Sequence, residues 1–331
     1  MMVSNSLIDP HGRKHNYLRI SLTDHCNLRC FYCMPEEGIE FQEKSSYLTR
    51  SEIFEVAKTF VQLGVNKIRI TGGEPLVRKR ADEILRDLAS LPIELAITTN
   101  GILLDRYLPL FKEIGLTNIN VSLDSLNEEK NLLITKRDYY QKIRNNISLL
   151  LDEGITPKLN VVVMRDINQD EIIDFIELTK HSNLDVRFLE FMPFNGNKWK
   201  LEKCFSYQEI LTEITNHYGD QINKLEDSFN STSKNYKVSN YQGSFGIISS
   251  ITNPFCEGCN RIRLTADGNL KNCLFSTEEF DILTPLREGS NIVPIIEDCL
   301  SNKKAVKAGI QTTDNNIETL EQNRSMISIG G

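Results

Sequence analysis

The sequence predicts an α/β protein whose core is an incomplete (βα)6 barrel of the TIM type. Three observations lead to this prediction. Short strand-like runs alternate with amphipathic helical stretches, glycines fall where helices should end, and the alternation stops after Met192. Since eight such units close a full barrel, six would leave it open on one side. Periodicity alone also permits a flat, doubly wound sheet.

The six strands are expected in chain order, separated by five helices. The predicted strands cover residues 17–22, 67–71, 95–98, 119–123, 159–164 and 186–191. The predicted helices cover residues 49–63, 81–89, 107–114, 139–153 and 168–181. Thr49 and Glu52 have the spacing of a capping box, which begins the first helix, and Gly64 is placed to end it. Strand–helix alternation of this kind predicts a parallel sheet with right-handed crossovers.

The chain after Met192 has a different character. Residues 193–203 resemble a connector, and residues 204–331 are richer in asparagine and serine, with short strands and loops expected. We therefore expect two domains, a partial barrel over residues 1–192 and a C-terminal region over residues 193–331 that covers its open side. The tail at residues 307–324 is polar and expected to be irregular, and the last two residues are Gly330 and Gly331.

Composition and charge limit the possible functions. Of the 331 residues, 40% are hydrophobic and 25% are charged, which is ordinary for a soluble enzyme. The net charge of −7 argues against nucleic acid or an anionic membrane surface as a general partner. No apolar run is long enough to span a bilayer and residues 1–14 show no signal-peptide pattern, so we expect a cytoplasmic protein. Thiols stay reduced in that compartment, and clustered cysteines there indicate metal ligands.

Cys26, Cys30 and Cys33 form a CxxxCxxC motif after the first predicted strand. If the eight cysteines were placed at random, the expected number of CxxxCxxC motifs in a chain of this length would be only about 0.005. Three thiolates can hold an iron–sulfur cluster that usually takes four, which leaves one iron open to a small molecule. A zinc site and buried thiols remain alternatives, although zinc normally needs four ligands and His25 adjoins Cys26 too closely to serve the same metal.

Cys256, Cys259 and Cys273 form a second set, a CxxC pair followed by a third cysteine after thirteen residues. Because no histidine follows Cys259, a closed zinc site is poorly supported and a second cluster with an open iron is favoured. A zinc knuckle completed by an aspartate or water remains the alternative.

Arg261 and Arg263 follow the CxxC pair on a predicted strand, where alternation places both on one face. Two guanidinium groups beside a metal site suit bidentate contacts with phosphates. The alternative is a solvated strand face that binds nothing.

Further segments with chemical content lie on or after the other predicted strands. Gly72 and Gly73 let the backbone approach a ligand closely, and the Glu74 carboxylate can accept from an ammonium group. An inward-facing Arg69 would need an anionic partner. The remaining segments are residues 98–101 and 120–125, Lys158 with Asn160, and Met192. Each alone is more often structural, but together they surround one rim of the predicted barrel.

These motifs together resemble the radical S-adenosylmethionine (SAM) superfamily. The resemblance rests on CxxxCxxC after the first strand and Gly-Gly-Glu-Pro after the second. The second cysteine set, the Arg-Ile-Arg that follows its CxxC pair and the terminal Gly-Gly narrow it to the MoaA family of GTP 3′,8-cyclases. The resemblance covers residues 17–331 and implies a partial barrel of the radical SAM kind.

The resemblance also implies a role for individual residues. Each cysteine set would bind one [4Fe–4S] cluster, the first of them chelating SAM and the second meeting the guanine. The positions that would bind SAM are Tyr32, Gly73, Ser122 and Met192. The positions that would contact GTP are Arg19, Arg69, Thr98, Lys158, Arg261, Ile262 and Arg263. Gly330 and Gly331 match a terminal pair that reaches into the active site, and Arg261 or Arg263 would assist the last proton transfer.

The implied reaction is the first step of molybdenum cofactor biosynthesis. An external one-electron donor reduces the first cluster, SAM is cleaved, and the 5′-deoxyadenosyl radical takes the hydrogen from C3′ of the GTP ribose. The C3′ radical adds to C8 of guanine, and reduction gives 3′,8-cyclo-7,8-dihydro-GTP. The analogy adds a downstream cyclic pyranopterin monophosphate synthase, and a homodimer is one expectation for the assembly. The alternatives are another radical SAM enzyme with one auxiliary cluster, such as a peptide maturase, and a non-catalytic zinc-binding module.

Overall fold

The structure is a computed structural model that describes residues 7–34, 38, 44–310 and 323–330. Two sequence predictions fall outside these described residues. One is most of the irregular tail, residues 311–322, and the other is the role of Gly331.

The described residues form one sheet of twelve strands. The first six are β1 (Tyr17–Ser21), β2 (Lys67–Thr71), β3 (Glu94–Thr99), β4 (Asn118–Ser122), β5 (Lys158–Val163) and β6 (Asp185–Glu190). The other six are β7 (Ile222–Lys224), β8 (Lys234–Val238), β9 (Ser244–Ile248), β10 (Arg261–Leu264), β11 (Asn269–Lys271) and β12 (Phe280–Asp281). All six strands predicted before Met192 are present, with ends that differ from the expected ones by at most one residue.

The strand order distinguishes between the two predicted architectures. The six strands β1 to β6 are neighbours in chain order and pair in parallel. In a doubly wound sheet the strands stay parallel, but their order along the sheet reverses at a switch point. The uninterrupted chain order found here therefore confirms the partial barrel. The C-terminal strands extend both edges of that sheet, since β10 pairs in parallel with β1 and β9 pairs in parallel with β6. Beyond them, β11 and β12 on one side and β8 and β7 on the other pair antiparallel.

The described residues contain ten α-helices, of which the first six connect the parallel strands β1 to β6. Those in the described residues are α1 (Arg50–Gln62), α2 (Ala81–Ala89), α3 (Leu104–Glu113), α4 (Glu128–Thr135), α5 (Tyr140–Asp152), α6 (Ile172–Glu177), α7 (Tyr207–Tyr218), α8 (Leu283–Arg287), α9 (Val293–Ser301) and α10 (Met326–Ile329). The capping box of α1 is present, because the Thr49 hydroxyl accepts from the Glu52 amide and the Glu52 carboxylate accepts from the Thr49 amide.

The sequence prediction missed α4 and made the last barrel helix too long. In α4 the buried positions include Asn131 and Thr135, while Leu132 and Leu133 are exposed, so its apolar pattern does not mark the buried face. The helix predicted over residues 168–181 is a short 3-10 turn, Gln169–Glu171, followed by the six-residue α6.

Alternation along the strands separates the core from the inside of the barrel. On β1, Leu18 and Ile20 are fully buried in the main apolar cluster, and Ile68 and Ile70 do the same on β2. The residues between them therefore point to the opposite face. That face is the inner one, on which the polar side chains of the site lie.

A second, smaller apolar cluster joins the connector to the barrel. It contains Phe191, Trp199 and Phe275, and the partly buried Tyr32 and Cys273 pack against it. It therefore brings residues near the two cysteine sets into one packed unit. In the part of the chain that the structure describes, no helix has the length and apolarity needed to cross a membrane.

Candidate active site

A cavity of about 540 Å³ lies between the inner face of the barrel strands and the C-terminal region. This volume is in the range of small-molecule sites. Among the described residues, seven cationic side chains contribute to its lining: Arg19, Lys67, Arg69, Lys158, Arg187, Arg261 and Arg263. The second cysteine set and Met192 also line it. The cavity therefore suits an anionic ligand that meets a metal group.

The strand register aligns the cations in two rows across the sheet. In the first row, Arg19 on β1 is paired with Arg263 on β10 and with Arg69 on β2. In the second row, Tyr17 is paired with Arg261 and with Lys67 on the same two strands. Adjacent strands lie about 4.8 Å apart, so these positive groups are close neighbours.

Burial and mutual repulsion weaken the proton affinity of these cations. Burial, followed by repulsion from Arg69 and Arg261, lowers the pKa of Arg19 to about 10. Burial and the neighbouring Arg19 lower the pKa of Arg263 well below its ordinary value. Burial, followed by the charge of Arg187, also lowers the pKa of Lys158. An anion in the cavity would relieve this repulsion.

Arg69 points inward, as required for a ligand contact, but its hydrogen-bond partners are neutral. Its guanidinium donates to the Tyr17 hydroxyl at 2.7 Å, to the Ile97 carbonyl at 2.8 Å and to the Asn118 side chain at 2.9 Å. Thr98 accepts a longer bond of 3.5 Å from the same side chain. Thr98 is thus joined to the arginine row through Arg69.

Arg261 lies between an aromatic ring and the second cysteine set. Its guanidinium carbon lies 4.9 Å from the centre of the Phe255 ring. Its Nη2 is buried and has no hydrogen-bond partner in the described part of the chain. A buried donor without a partner is costly, so this atom favours a ligand with an acceptor. Ile262, between the two arginines, is 1% exposed and belongs to the apolar core.

The second cysteine set forms part of the cavity wall. Burial raises the pKa of the Cys259 thiol, but the charges of Arg261 and Lys303 outweigh this effect and lower it to about 6. Cys259 is therefore mostly a thiolate near neutral pH, the form that binds metals. None of these three cysteines is in a disulfide bond. Three thiols with a thiolate among them fit an iron–sulfur cluster.

The first cysteine set lies in the loop after β1. Its backbone is fastened to the end of α4, because the Arg29 amide donates to the Thr135 carbonyl and the Phe31 amide to the Ile134 carbonyl. Burial, followed by the Glu74 charge, raises the pKa of Cys26 to about 11. The other two thiols have raised pKa values through burial and the proximity of further acidic groups.

The three thiols of this first set are close enough to influence one another, and all three are free. A metal cluster would supply the positive charge that stabilises three neighbouring thiolates, so this donor set also fits a cluster. Among the described residues, no group of three or more His, Cys, Asp or Glu side chains is arranged around a single metal ion.

The Gly-Gly-Glu-Pro loop supports the first cysteine loop directly. A Cβ on Gly73 would lie 2.5 Å from the His25 carbonyl oxygen and 2.8 Å from that of Asp24. Glu74 is fully buried, and its oxygens accept from the Thr99 hydroxyl and the Asn100 amide. Burial raises the pKa of Glu74 to about 7. Both oxygens of this carboxylate therefore have hydrogen-bond partners within the chain.

Two further predicted SAM positions, Tyr32 in the first cysteine loop and Met192 after β6, are joined by hydrogen bonds. The Tyr32 hydroxyl donates to the Asp124 carboxylate at 2.6 Å. The Asn197 amide donates to the carbonyls of both Tyr32 and Met192, at 3.1 and 2.8 Å, and so joins the loop to the end of β6. Ser122 is the last residue of β4.

The C-terminal segment reaches the arginine row. Nη1 of Arg263 donates to the Gly330 carbonyl at 2.7 Å. Gly330 has φ +81°, and a Cβ there would lie 2.5 Å from the Thr71 hydroxyl and 3.0 Å from the Ser21 Cβ. Only glycine fits this backbone comfortably.

Sequence reasoning missed several residues of the site. Lys67 and Arg187 lie on the inner faces of β2 and β6, and Tyr17 on that of β1. Strand alternation carried a signal for Lys67, two residues before Arg69. No local signal marked Asn197, whose role depends on a connector that returns to the cysteine loop.

Two family models match the chain, the radical SAM superfamily over residues 20–179 and Molybdenum Cofactor Synthesis C over residues 184–308. The chain is 46% identical, over 99% of its length, to the mitochondrial GTP 3′,8-cyclase of Arabidopsis thaliana, of which it covers 84%. It is 44% identical, over 90% of its length, to the GTP 3′,8-cyclase of Peptoclostridium acidaminophilum, of which it covers 92%. It is also 44% identical, over 92% of its length, to molybdenum cofactor biosynthesis protein 1 of Homo sapiens. The chain spans about half the length of such animal relatives, 49% of the human protein.

Solved structures show the same fold at low sequence identity. Streptococcus suis SuiB bound to S-adenosylmethionine superposes with a TM-score of 0.60 and 15% identity, covering 96% of this chain and 78% of SuiB. Native anSMEcpe with bound AdoMet superposes with a TM-score of 0.54 and 13% identity, covering 92% of this chain and 95% of that one.

Proposed function

We propose how this chain works from one premise: it belongs to the radical SAM superfamily and, within it, to the GTP 3′,8-cyclase family of molybdenum cofactor biosynthesis. The proposed reaction is the cyclisation of GTP to 3′,8-cyclo-7,8-dihydro-GTP. The family disfavours the two alternatives, a peptide maturase and a zinc-binding module.

The observation that carries this proposal is the row of buried guanidinium groups facing the cavity. GTP has about four negative charges near neutral pH. Arg19, Arg69 and Arg263 lie in one row across three strands, with Arg261 and Lys158 nearby. Burial and mutual repulsion make this group of cations costly unless an anionic ligand offsets them, and the group is a local one in a protein whose net charge is −7.

The first cysteine set, Cys26, Cys30 and Cys33, is proposed to hold one [4Fe–4S] cluster together with SAM. When bound, this pair supplies the 5′-deoxyadenosyl radical that takes the hydrogen from C3′ of the ribose. Gly73 keeps the backbone close enough to support the cysteine loop, and the Asn197 amide fixes the two carbonyls beside it. We propose that Tyr32, Gly73, Ser122 and Met192 contact SAM.

The second set, Cys256, Cys259 and Cys273, is proposed to hold a second [4Fe–4S] cluster facing the guanine. The cationic side chains bind the triphosphate and so place C3′ and C8 of the same molecule for ring closure. Buried Nη2 of Arg261 is available to donate to the substrate. Thr98 contributes by its bond to Arg69, and Ile262 by keeping the two arginines on one face.

The C-terminal glycines are proposed to close the site. The bond from Arg263 to the Gly330 carbonyl brings the chain end against the cation row. A closed site excludes water and stray hydrogen donors, which a carbon radical would otherwise attack. In this proposal Gly331 closes the site together with Gly330, and Arg261 or Arg263 assists the last proton transfer.

The proposed setting of the reaction has further partners. An external one-electron donor reduces the protein, and a cyclic pyranopterin monophosphate synthase consumes the product. The cytoplasm is the proposed compartment, although the Arabidopsis relative is named mitochondrial, and the proposed assembly is a homodimer. Fractionation of the source cells and light scattering test these two points. The proposed division at residue 192 lies just after the boundary between the two family models, at residues 179–184.

The decisive experiment is anaerobic turnover. After cluster reconstitution and reduction with dithionite, 5′-deoxyadenosine is measured with and without GTP deuterated at C3′. Release that depends on GTP, with deuterium in the deoxyadenosine, is the expected result. Iron content of about eight atoms per chain is expected beforehand. Cleavage of SAM regardless of GTP would refute the substrate, and no cleavage in protein that holds its iron would refute the chemistry.

Two sets of variants test the residue roles. Arg261→Ala and Arg263→Ala should weaken GTP binding or turnover while leaving the iron content unchanged, and normal affinity with normal turnover would reject the phosphate role. Deleting Gly330 and Gly331 should block product formation without unfolding the barrel. Full activity after this truncation would reject the closing role of the C-terminus.

A further inference from the structure

Lys303, two residues after α9, has a buried ammonium group directed at the second cysteine set. The residue is only 4% exposed. Its Nζ donates to the Asn272 carbonyl at 2.6 Å and to the Arg261 carbonyl at 3.0 Å, and it lies 3.4 Å from Sγ of Cys259. The three N–H groups of the ammonium therefore all have acceptors, and each acceptor belongs to a cysteine of this set or to a residue at most two positions from one in the sequence.

The segment that carries Lys303 is fastened by the N-terminal part of the described chain. Nε2 of His11 lies 3.1 Å from the Lys303 carbonyl oxygen. Arg13 donates to the carbonyls of Lys304 and Ala305, at 2.9 and 2.7 Å, and also to the Cys256 carbonyl at 2.9 Å. One arginine therefore joins the lysine segment to the cysteine loop, so the distance between Lys303 and Cys259 is held by the fold.

The charge of Lys303 has an unusual environment. In the ranges that the structure describes, none of the ion pairs formed with a carboxylate involves Lys303, and its two oxygen acceptors are neutral carbonyls. A buried ammonium is costly unless an anion lies nearby. The nearest group able to carry negative charge at hydrogen-bond distance is the Cys259 sulfur.

We propose that Lys303 is a positioning residue for the second cluster, because its ammonium holds the Cys259 sulfur and adds a fixed positive charge that makes the cluster easier to reduce. This inference rests on the proposed function, in which that set holds a [4Fe–4S] cluster. The redox step concerned is the gain of one electron by the oxidised cluster from an added reductant, with no bond made or broken. A nearby positive charge stabilises the reduced, more negative form.

The test isolates the second cluster in the full-length chain. Cys26, Cys30 and Cys33 are replaced by serine, so that iron can enter only the second set. In this background Lys303→Met removes the charge at nearly constant length, and Lys303→Arg retains the charge. Lys304→Met is the matched control, because Lys304 is the adjacent lysine and is exposed. The readouts are iron per chain and the midpoint potential from a dithionite titration followed by electron paramagnetic resonance.

We expect Lys303→Met to lower the reduced-to-oxidised ratio at a given potential about tenfold, a shift of ~59 mV to more negative values for one electron. Lys304→Met should leave the potential unchanged. Loss of iron in Lys303→Met that is restored in Lys303→Arg would also support the proposal. Equal iron and equal potentials in the Lys303→Met and Lys304→Met proteins would overturn it, as would equal loss of iron in Lys303→Met and Lys303→Arg.

Failure of the underlying function has a separate signature. If the parent protein with the three serines takes up no iron under anaerobic reconstitution, the second cluster itself is absent and both proposals fall. If the parent holds its cluster and only the lysine variants behave like the control, the cluster stands and the role of Lys303 falls.

Discussion

Replacing Arg19 with methionine should stabilise the ligand-free protein and weaken its binding of GTP. Arg19 is the central member of the first cation row, between Arg263 and Arg69. Burial, followed by repulsion from Arg69 and Arg261, lowers the pKa of Arg19 from 12.5 to about 10. Each tenfold change in proton affinity corresponds to ~1.4 kcal/mol, so the charged side chain costs the folded state at most about 3.5 kcal/mol.

Part of the Arg19 side chain stays open to the cavity, so we expect a gain of about 1–3 kcal/mol in the free energy of unfolding of Arg19→Met. The same change removes donors to the triphosphate. Hydrogen bonds to charged groups contribute ~1.5–3 kcal/mol each, so GTP should bind about 10- to 150-fold more weakly. A gain in stability together with a loss of GTP affinity is expected only for a cation whose main role is to bind a ligand.

Urea unfolding followed by circular dichroism measures the stability, and anaerobic calorimetry measures the GTP affinity. Arg86→Met is the control, because Arg86 is exposed and pairs with Glu113 on the surface, where changes stay within about 0.5 kcal/mol. A loss of stability in Arg19→Met together with unchanged GTP affinity would show that Arg19 is an ordinary structural residue and refute the reasoning.

Three further predictions concern the loops around the site. In Gly73→Ala the new Cβ would lie 2.5 Å from the His25 carbonyl oxygen. We therefore expect the free energy of unfolding to fall by ~1–3 kcal/mol and the first cysteine set to bind less iron. Normal iron content would contradict this prediction. Burial, followed by the Lys303 charge, lowers the pKa of His15 to about 4, so the unfolded chain binds the extra proton first and stability should fall as pH drops from about 6.5 to 4. His15→Gln should reduce this loss by up to ~3 kcal/mol in urea titrations at several pH values, and an unchanged pH profile would exclude His15 as its source. Cys259 has a pKa of about 6 and Cys26 a pKa of about 11, so in iron-free protein at pH 7 Cys259 should react with iodoacetamide much faster. Mass spectrometry measures the alkylation rate of each cysteine. Equal rates would disprove the difference.

Local patterns predicted much of the barrel. Strand periodicity placed β1 to β6 within one residue at each end, since alternating side chains are a local property of a strand. The helix α4 was missed for the same reason, because its buried face carries Asn131 and Thr135 while two leucines are exposed. The GTP-binding and SAM-binding residues came from motif resemblance, and their roles remain predictions.

The candidate site was only partly visible in the sequence. The two cysteine sets are short-range spacings and were found as such. By contrast, no local pattern showed that the Glu74 oxygens accept from Thr99 and Asn100, which arrive from β3 and the loop after it. No local pattern marked Asn197 or Lys303, since the contacts that give them a role, with Tyr32 and with Cys259, reach far along the chain.

The sequence by itself determined the six strand units, the two cysteine sets and the chemistry that their spacing implies. Only the tertiary structure decided that C-terminal strands extend both edges of the barrel sheet, and that Arg263, Arg19 and Arg69 form one row. The physical reason is the range of the interactions. Periodicity and motif spacing arise between residues a few positions apart, whereas strand register and buried charge contacts depend on pairing between distant segments, about 240 residues apart for Arg19 and Arg263.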